Sequence, residues 1–462
     1  MSTTTAPAKA GMKETLPIAL LALIIAVAVQ LIGSAKINVG IGSIVIFPMV
    51  WGLIAGLLIS VQKFKPLGLN LQKVASALVG VAVMLLVARL AFNIGPSLPV
   101  LIKAGPALLL QEVGHLLGTV FLALPLAVLL RMGKATVGAT FSLDREPSFA
   151  MVSEKYGADS DQYRGVLAMY VFGTLFGAVF ITLLTSLVAN WNIFNPLALA
   201  MGAGVGSGSM MAASAASIIE AYPADQQAIL GMAAVSNLIT TILGVYVGLY
   251  VSLPLAERFY RLLTRRSAAA ALETVSASGA TAPAAASTTA TAAASASASA
   301  DDDVNRSFRE RVAQSSAEVK LPLWLSLGVL AVLGLATASV AAKGLHWNVF
   351  GGYAVLMGLV LLGLFLAKVS RKISAIIWIT TIGAYVSSPW FFAAESLTKL
   401  VSAVDFLSIA TVMLTLAGLS LGKDVPLLRN IGWKIIPVGL VAITASFLLS
   451  VVIAEFALGY WS

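Results

Sequence analysis

The chain has 462 residues, 59% hydrophobic and only 11% charged, against about 25% charged in an ordinary soluble domain. Its mean hydropathy of +0.95 and its repeated apolar runs exclude a soluble globular fold. The net charge of +9 is no nucleic-acid signature, because the basic residues are scattered through short connections and form no stripe interleaved with aromatics. With no cysteine and two histidines, disulfides, thiolate metal sites and histidine-based metal centres are also excluded.

The polar stretch 1–15, "MSTTTAPAKAGMKET", leads into an apolar run without a small-residue cleavage site and reads as a cytoplasmic tail before an uncleaved anchor. Apolar runs then predict eleven transmembrane helices, at 16–34, 43–61, 74–95, 107–130, 165–189, 227–253, 321–342, 349–367, 373–390, 403–421 and 435–457. The fold class is therefore all-α and polytopic. An N-terminal membrane half, 16–256, is separated from a C-terminal half, 321–462, by a cytoplasmic linker at 257–320. The centre of that linker, "SAAAALETVSASGATAPAAASTTATAAASASASA", has almost no large apolar residue and predicts a flexible connector.

The segment 195–221 falls between two spans and contains Gly202, Gly204, Gly206 and Gly208 with Ser207 and Ser209. Most lysines and arginines fall in loops that share one side when the N-terminus is cytoplasmic; Lys36 and Lys343 fall on the other side, and Arg89, Lys103 and Lys399 lie at or within membrane depth. A full crossing at 195–221 would send "ERFYRLLTRR" to the other side, against that bias. The charge pattern therefore predicts a re-entrant hairpin or broken helix that enters and leaves on one side. The competing reading is a Gly/Ser-rich helix packed closely on its neighbours. The same bias places the N-terminus inside the cell and the C-terminus outside.

The segments "INVGIGSIVIFPMVWGLIAGLLIS" and "WNVFGGYAVLMGLVLLGLFLAK" echo one another and suggest an internal duplication, oriented alike by the charge rule.

Ionisable residues inside spans are expensive and mark function by default. In "LLLQEVGHLLGT", Glu112 and His115 are three apart on one helix face, a pair able to share a proton or help bind a cation. Asp405 with Ser408 and Thr411 gives an oxygen-rich face suited to Na⁺ or a proton. These three ionisable residues are the coupling-ion candidates. Arg89 lies deep in "MLLVARLAFNIG" and needs a partner, for which Glu112 is a candidate, unless it snorkels outward. Asn237 sits mid-span beside Ser236, Thr240 and Thr241, placed for an interhelical hydrogen bond. Gly204, Gly206, Ser207, Gly208, Ser209, Asn237 and Arg89 form the candidate substrate site. Each of these positions also has a purely structural reading as a packing or capping residue.

Catalysis finds little support. The glycine run follows no strand, which excludes a dinucleotide fingerprint. "GVGSGSM" resembles the serine segment of intramembrane proteases, but the adjoining spans carry no histidine. No ATPase motif and no cofactor-binding motif is present.

The stretch "GAGVGSGSMMAASAASIIEAYPADQQAILGMAAVSNLITTILGVYVGLYVSLPLAERFY" resembles the Gly/Ser-rich hairpin and following span of bacterial secondary transporters. It is similar in style to the sodium-coupled glutamate and 2-hydroxycarboxylate symporters and to LrgB-type export-associated proteins. The whole chain most resembles a family of bacterial inner-membrane proteins known by a domain-of-unknown-function label. The resemblance implies an elevator-like carrier, with a mobile domain moving the hairpin past a static homodimeric scaffold. The symporters' tandem Gly-Gly is absent, and no ligand residue carries over. The functional expectation is an H⁺- or Na⁺-coupled transporter of a small polar, anionic metabolite in the bacterial inner membrane, against the alternative of a channel or holin-like export component.

Overall fold

A computed structural model describes residues 8–9, 11–38, 43–141, 148, 152, 155–157, 160–278, 319–371, 373–423 and 432–461, with 8–9, 38, 43–44, 245–246, 266–278 and 460–461 in backbone only. After a two-residue strand β1 (Ala8–Lys9) come α1 (Met12–Ile32), a β-hairpin of β2 (Ala35–Asn38) and β3 (Ser43–Ile46), α2 (Pro48–Val61), α3 (Leu69–Lys103) and α4 (Gly105–Leu129). Then follow α5 (Ala135–Thr140), α6 (Asp161–Asn190), α7 (Pro196–Ala203), α8 (Gly208–Ala221), α9 (Gln226–Val247) and α10 (Leu253–Ser278). Strand β4 (Val319–Lys320) precedes α11 (Leu323–Ala341), α12 (Trp347–Ser370), α13 (Ala375–Val386), α14 (Ala394–Ser402), α15 (Phe406–Ser420) and α16 (Ile435–Trp461).

Among the described residues, nine helices are long and apolar enough to cross a membrane, and α2 and α13 are shorter apolar helices. Each of the eleven expected spans therefore has a helix. The protein is an all-α polytopic membrane protein. Three spans carry a π turn, at Thr119–Ala123, Gly173–Gly177 and Gly248–Ser252; one residue too many per turn interrupts the regular ladder at each.

Three sequence expectations change. The span expected from 43 begins only at Pro48, because the β-branched run "SIVI" pairs as a strand with β2. The echo between 37–60 and 347–368 therefore sets strand residues, at 37–38 and 43–46, against a helix. The alanine-rich start of the linker continues α10 to Ser278, as alanine's helix propensity favours; 279–318 lie outside the described residues.

β1 and β4 pair in parallel, Ala8 with Val319 and Lys9 with Lys320, so α1 and α11 enter the bundle from the same end. This "basic end" also holds Lys434 bonded to the Arg131 carbonyl at 3.3 Å. The opposite end holds the β2–β3 hairpin, where Val45 N–H donates to Ser186 Oγ at 2.9 Å, and the C-terminal part of α16.

The helices sort into two bundles that cut across the halves read from the sequence. One comprises α1–α3 and α11–α15; the other comprises α4–α10 and α16. Small residues bring the first together: a Cβ at Gly56 of α2 would stand 2.7 Å from the Thr415 carbonyl of α15, the close backbone approach expected where lipid supplies no hydrophobic drive between helices. In the second bundle, Gly114 and Gly118 of α4 lie against α16, with Cβ positions 2.5 Å from the Leu449 carbonyl and 2.8 Å from that of Ala445. The chain first passes from the first bundle to the second through one residue, Ala104, between α3 and α4. The bundles meet chiefly along α3 and α9.

Candidate functional site

The segment 195–221 is a re-entrant hairpin. α7 has 8 residues and α8 has 14, about 12 and 21 Å at 1.5 Å per residue, so neither crosses a ~30 Å core. Its two ends lie together. The Tyr222 hydroxyl donates to Asn192 Oδ1 at 3.1 Å, and Asn195 N–H donates to Glu455 Oε2 at 2.7 Å. Partial burial, and then the charge of Glu455, raise the Tyr222 hydroxyl above the ordinary phenol range. α8 runs alongside the second half of α6, with Ser214 Oγ 2.7 Å from Thr185 Oγ1 and Ser217 Oγ bonded to the Thr182 carbonyl at 3.2 Å.

The tip is formed at 204–207. Gly206 has φ +92°, a conformation that residues with a Cβ rarely adopt. At Gly204 a Cβ would stand 2.7 Å from the Ala233 carbonyl, so α9 touches the tip backbone. Ser207 then starts α8 as its N-cap, its Oγ accepting from Met210 N–H at 3.4 Å and lying 3.0 Å from Ser209 Oγ. The carbonyls released where α7 ends need donors, and α9 supplies them from adjacent positions. Ser236 Oγ donates to the Met201 carbonyl at 2.7 Å. Asn237 Nδ2 donates to Gly204 at 2.8 Å and to Gly206 at 2.9 Å. Non-helical backbone at membrane depth survives because another helix satisfies it. Gly206 to Ser209 are half-buried, whereas Val205 and Met210 on either side are buried.

Beside the tip, a narrow cleft of about 20 Å³ opens between the bundles. Its polar lining is Asn237 and Thr241 of α9 and Thr380 of α13; its apolar lining includes Val87, Ala91 and Met211. The hydroxyl protons of Thr241 and Thr380 go to the carbonyls of Asn237 and Ile376, leaving oxygen lone pairs toward the cleft. Gly208 approaches α3 at Val83. Thr380 and Met211 were not expected in the site. Single polar or sulfur side chains in apolar spans carry no sign of which cavity they reach.

Two expected site members are elsewhere. Arg89 faces away from the cleft, within the first bundle. It is buried, with Nε donating to the Val404 carbonyl at 2.8 Å and Nη1 3.4 Å from Asn93 Oδ1. Its partner is thus the α14–α15 turn and not Glu112, and it does not snorkel. Asp405 is the N-cap of α15, its Oδ2 accepting from Ser408 N–H at 3.0 Å. Ser408 gives its hydroxyl to the Asp405 carbonyl at 2.6 Å, and Thr411 bonds the Leu407 carbonyl at 2.8 Å. These three side chains thus also serve to start and continue a helix.

Glu112 and His115 lie in the second bundle, behind the hairpin. Glu112 Oε1 accepts from the Thr240 hydroxyl of α9 and from Gln111 Nε2 at 2.8 Å. His115 Nδ1 is 2.5 Å from Ser446 Oγ of α16. Ser450 of α16 bonds the Gln111 carbonyl at 3.1 Å. The helices that hold this cluster, α9 and α16, also clasp α7. Asn237 and Ser236 hold the tip from one side, and Phe447 with Val451 lies against Gly202 on the other. No group of three or more His, Asp or Glu able to hold a metal occurs among the described residues.

These features define a class: a polytopic helical membrane protein with a re-entrant hairpin at the seam of two bundles. Residues 27–262 match the family model "Protein of unknown function (DUF3100)", and the chain belongs to that family. The match runs from the end of α1 into the first part of α10 and includes the whole hairpin. No curated protein and no solved structure matches the chain.

Proposed function

We propose that the protein is a secondary active transporter, moving a small polar, anionic metabolite across the bacterial inner membrane with H⁺ or Na⁺ coupling. One observation carries this reading: the half-buried tip 206–209 sits at the seam between two bundles, beside the cleft. Carriers bind near the bilayer midplane at broken helices, where half-helix N-termini face the substrate. Here the N-terminus of α8 supplies the N–H groups of Gly208 and Ser209 and a positive dipole end that favours an anion. The cleft walls add Asn237, Thr241 and Thr380, and no cationic side chain. Motion of the hairpin bundle against the other, in an elevator-like homodimer, would carry the tip from one side to the other. Glu112 and His115, joined to the helices that clasp the hairpin, are the coupling groups of this reading, and Asp405 has no part in it.

The test is a thermal-shift screen of the purified full chain against organic acids and amino acids, with and without Na⁺. A ligand present at 100 times its Kd stabilises the folded state by about 2.7 kcal/mol. A stabilising ligand that also shows saturable, gradient-driven flux in proteoliposomes supports the carrier. Conductance without saturation or competition replaces it with a channel.

A further inference from the structure

We infer that the coupling ion is a proton, carried by Glu112 and His115 and transmitted to the hairpin tip through α9. The inference rests on the transporter reading for its purpose, but the device it describes is physical and can be measured without a substrate.

The first ground is space. Glu112 and His115 flank Gly114, where α4 and α16 touch so closely that a single Cβ would stand 2.5 Å from the Leu449 carbonyl. Gln111, Glu112 and His115 are all buried to 3% exposure or less. A sodium ion would need room for itself and several oxygen ligands, whereas a proton adds no volume. The second ground is the donor set. The Glu112 carboxylate is approached by the Gln111 amide N–H and the Thr240 hydroxyl, groups that present hydrogens where a cation needs oxygens. Next to them Gln111 Oε1 is a buried acceptor that receives no hydrogen bond, and a further proton in the cluster is the donor it lacks. The third ground is the imidazole, which titrates near ~6.5 when unperturbed and is a poor ligand for a hard cation.

The linkage is one helix long. Thr240, bonded to Glu112, lies three residues after Asn237, which holds the carbonyls of Gly204 and Gly206. In the proton step a hydronium ion transfers its proton to a Glu112 oxygen, forming one O–H bond and leaving water. A neutral carboxyl accepts more weakly from Thr240, and that change is delivered to the helix that fixes the tip. The other charged or titratable groups on elements around 105–118 are turned elsewhere. Glu455 of α16 bonds Asn195 N–H, Arg89 of α3 bonds Val404, and Lys103 and Tyr250 are exposed.

The experiment uses the absence of native cysteine. Ser209→Cys reports the tip, and Phe64→Cys, in a fully exposed loop of the other bundle, serves as the control. Labelling by N-ethylmaleimide is measured from about pH 4 to about 8.5, spanning the ordinary carboxylate and imidazole midpoints, in NaCl and in choline chloride. The expected result is a severalfold pH step in tip labelling relative to control, lost in Glu112→Gln, weakened in Thr240→Val and unchanged by sodium. A step that persists in Glu112→Gln overturns the assignment, as does a tip that responds to sodium and not to pH. If Glu112→Gln does not fold, Thr240→Val decides: an undiminished step with the hydroxyl removed overturns the linkage. If the pH step is present but no solute is carried, the transporter reading fails and the proton site stands.

Discussion

The Asn237 carboxamide nitrogen stands 2.9 Å from the Gly206 carbonyl, at a residue whose φ of +92° turns the chain back on itself. One side chain of α9 thus substitutes for the helical partners that the tip has given up. Asn237→Ala removes the bonds to Gly204 and Gly206 together. Each buried acceptor left unsatisfied costs about 1–3 kcal/mol, so a clear fall in the midpoint of thermal unfolding is expected, with faster labelling of a cysteine at 205. Parental stability in Asn237→Ala would show that the tip is held by something else.

The tip glycines should rank by environment. Gly206→Ala places a Cβ in a left-handed conformation, a penalty of roughly 1–2 kcal/mol. Gly204→Ala drives a Cβ against Ser236 and the Ala233 carbonyl and is expected to be at least as damaging. Gly208 has only Val83 Cγ1, 3.9 Å away, and begins α8. Gly208→Ala should therefore be neutral or gain up to ~1 kcal/mol. A continuous packed helix would instead be stabilised at 206, so the order of the three melting midpoints distinguishes the two structures.

The hairpin's two ends share one side of the membrane in this fold. Cysteines at 192 and 224 should both be reached by an impermeant thiol reagent from the side opposite to a cysteine at 64. With the basic end in the cytoplasm, 192 and 224 are labelled in intact cells and 64 only after permeabilisation. Opposite sidedness of 192 and 224 would mean that the segment crosses.

Arg89 and Asp405 are assigned to architecture. Arg89→Ala leaves the Val404 carbonyl of the α14–α15 turn without its donor, and a buried acceptor left unsatisfied costs about 1–3 kcal/mol. Asp405→Asn keeps a capping oxygen and should preserve both fold and ion dependence, while Asp405→Ala should lose about 1 kcal/mol. Loss of ion-coupled flux in Asp405→Asn with stability intact would return Asp405 to the coupling site.

At the basic end, Glu257 of α10 accepts from Lys155 Nζ at 3.1 Å and from the Tyr156 hydroxyl at 3.2 Å. Partial burial works against its charge, but the Lys155 hydrogen bond and charge prevail and hold the carboxyl below its ordinary range. Lys155 is likewise raised: burial opposes its charge, and the bond to Glu257 outweighs it. The contact is therefore complete between the ordinary carboxylate and lysine ranges. It is lost as pH falls through the lowered Glu257 value or rises through the raised Lys155 value. Amide exchange at 155–157, corrected for intrinsic rate, should accelerate under acid in the parent and be equally fast at neutral pH in Glu257→Gln. No difference between the two proteins at neutral pH would remove the ion pair as the clasp.

Composition and apolar run length by themselves determined that this is a polytopic helical protein, because a lipid-facing helix must satisfy its own backbone and be long and apolar enough to cross. The hairpin was also legible. Four glycines with interleaved serines weaken a helix locally, and the flanking arginines constrain direction. Only the tertiary structure decided which helices meet. His115 finds Ser446 across 331 positions, and Arg89 finds Val404 across 315. Apolar spans of like composition carry little record of their neighbours, since association in lipid depends on backbone approach at small residues and on a few interhelical hydrogen bonds. So the sequence offered Glu112 as a partner for Arg89, whose bonds go to Val404 and Asn93; it did not show that Asp405 caps α15; and it placed α16 in a C-terminal half without showing that this helix packs against α4 and α7. Each of those decisions is made by shape complementarity between distant segments, which a local pattern does not contain.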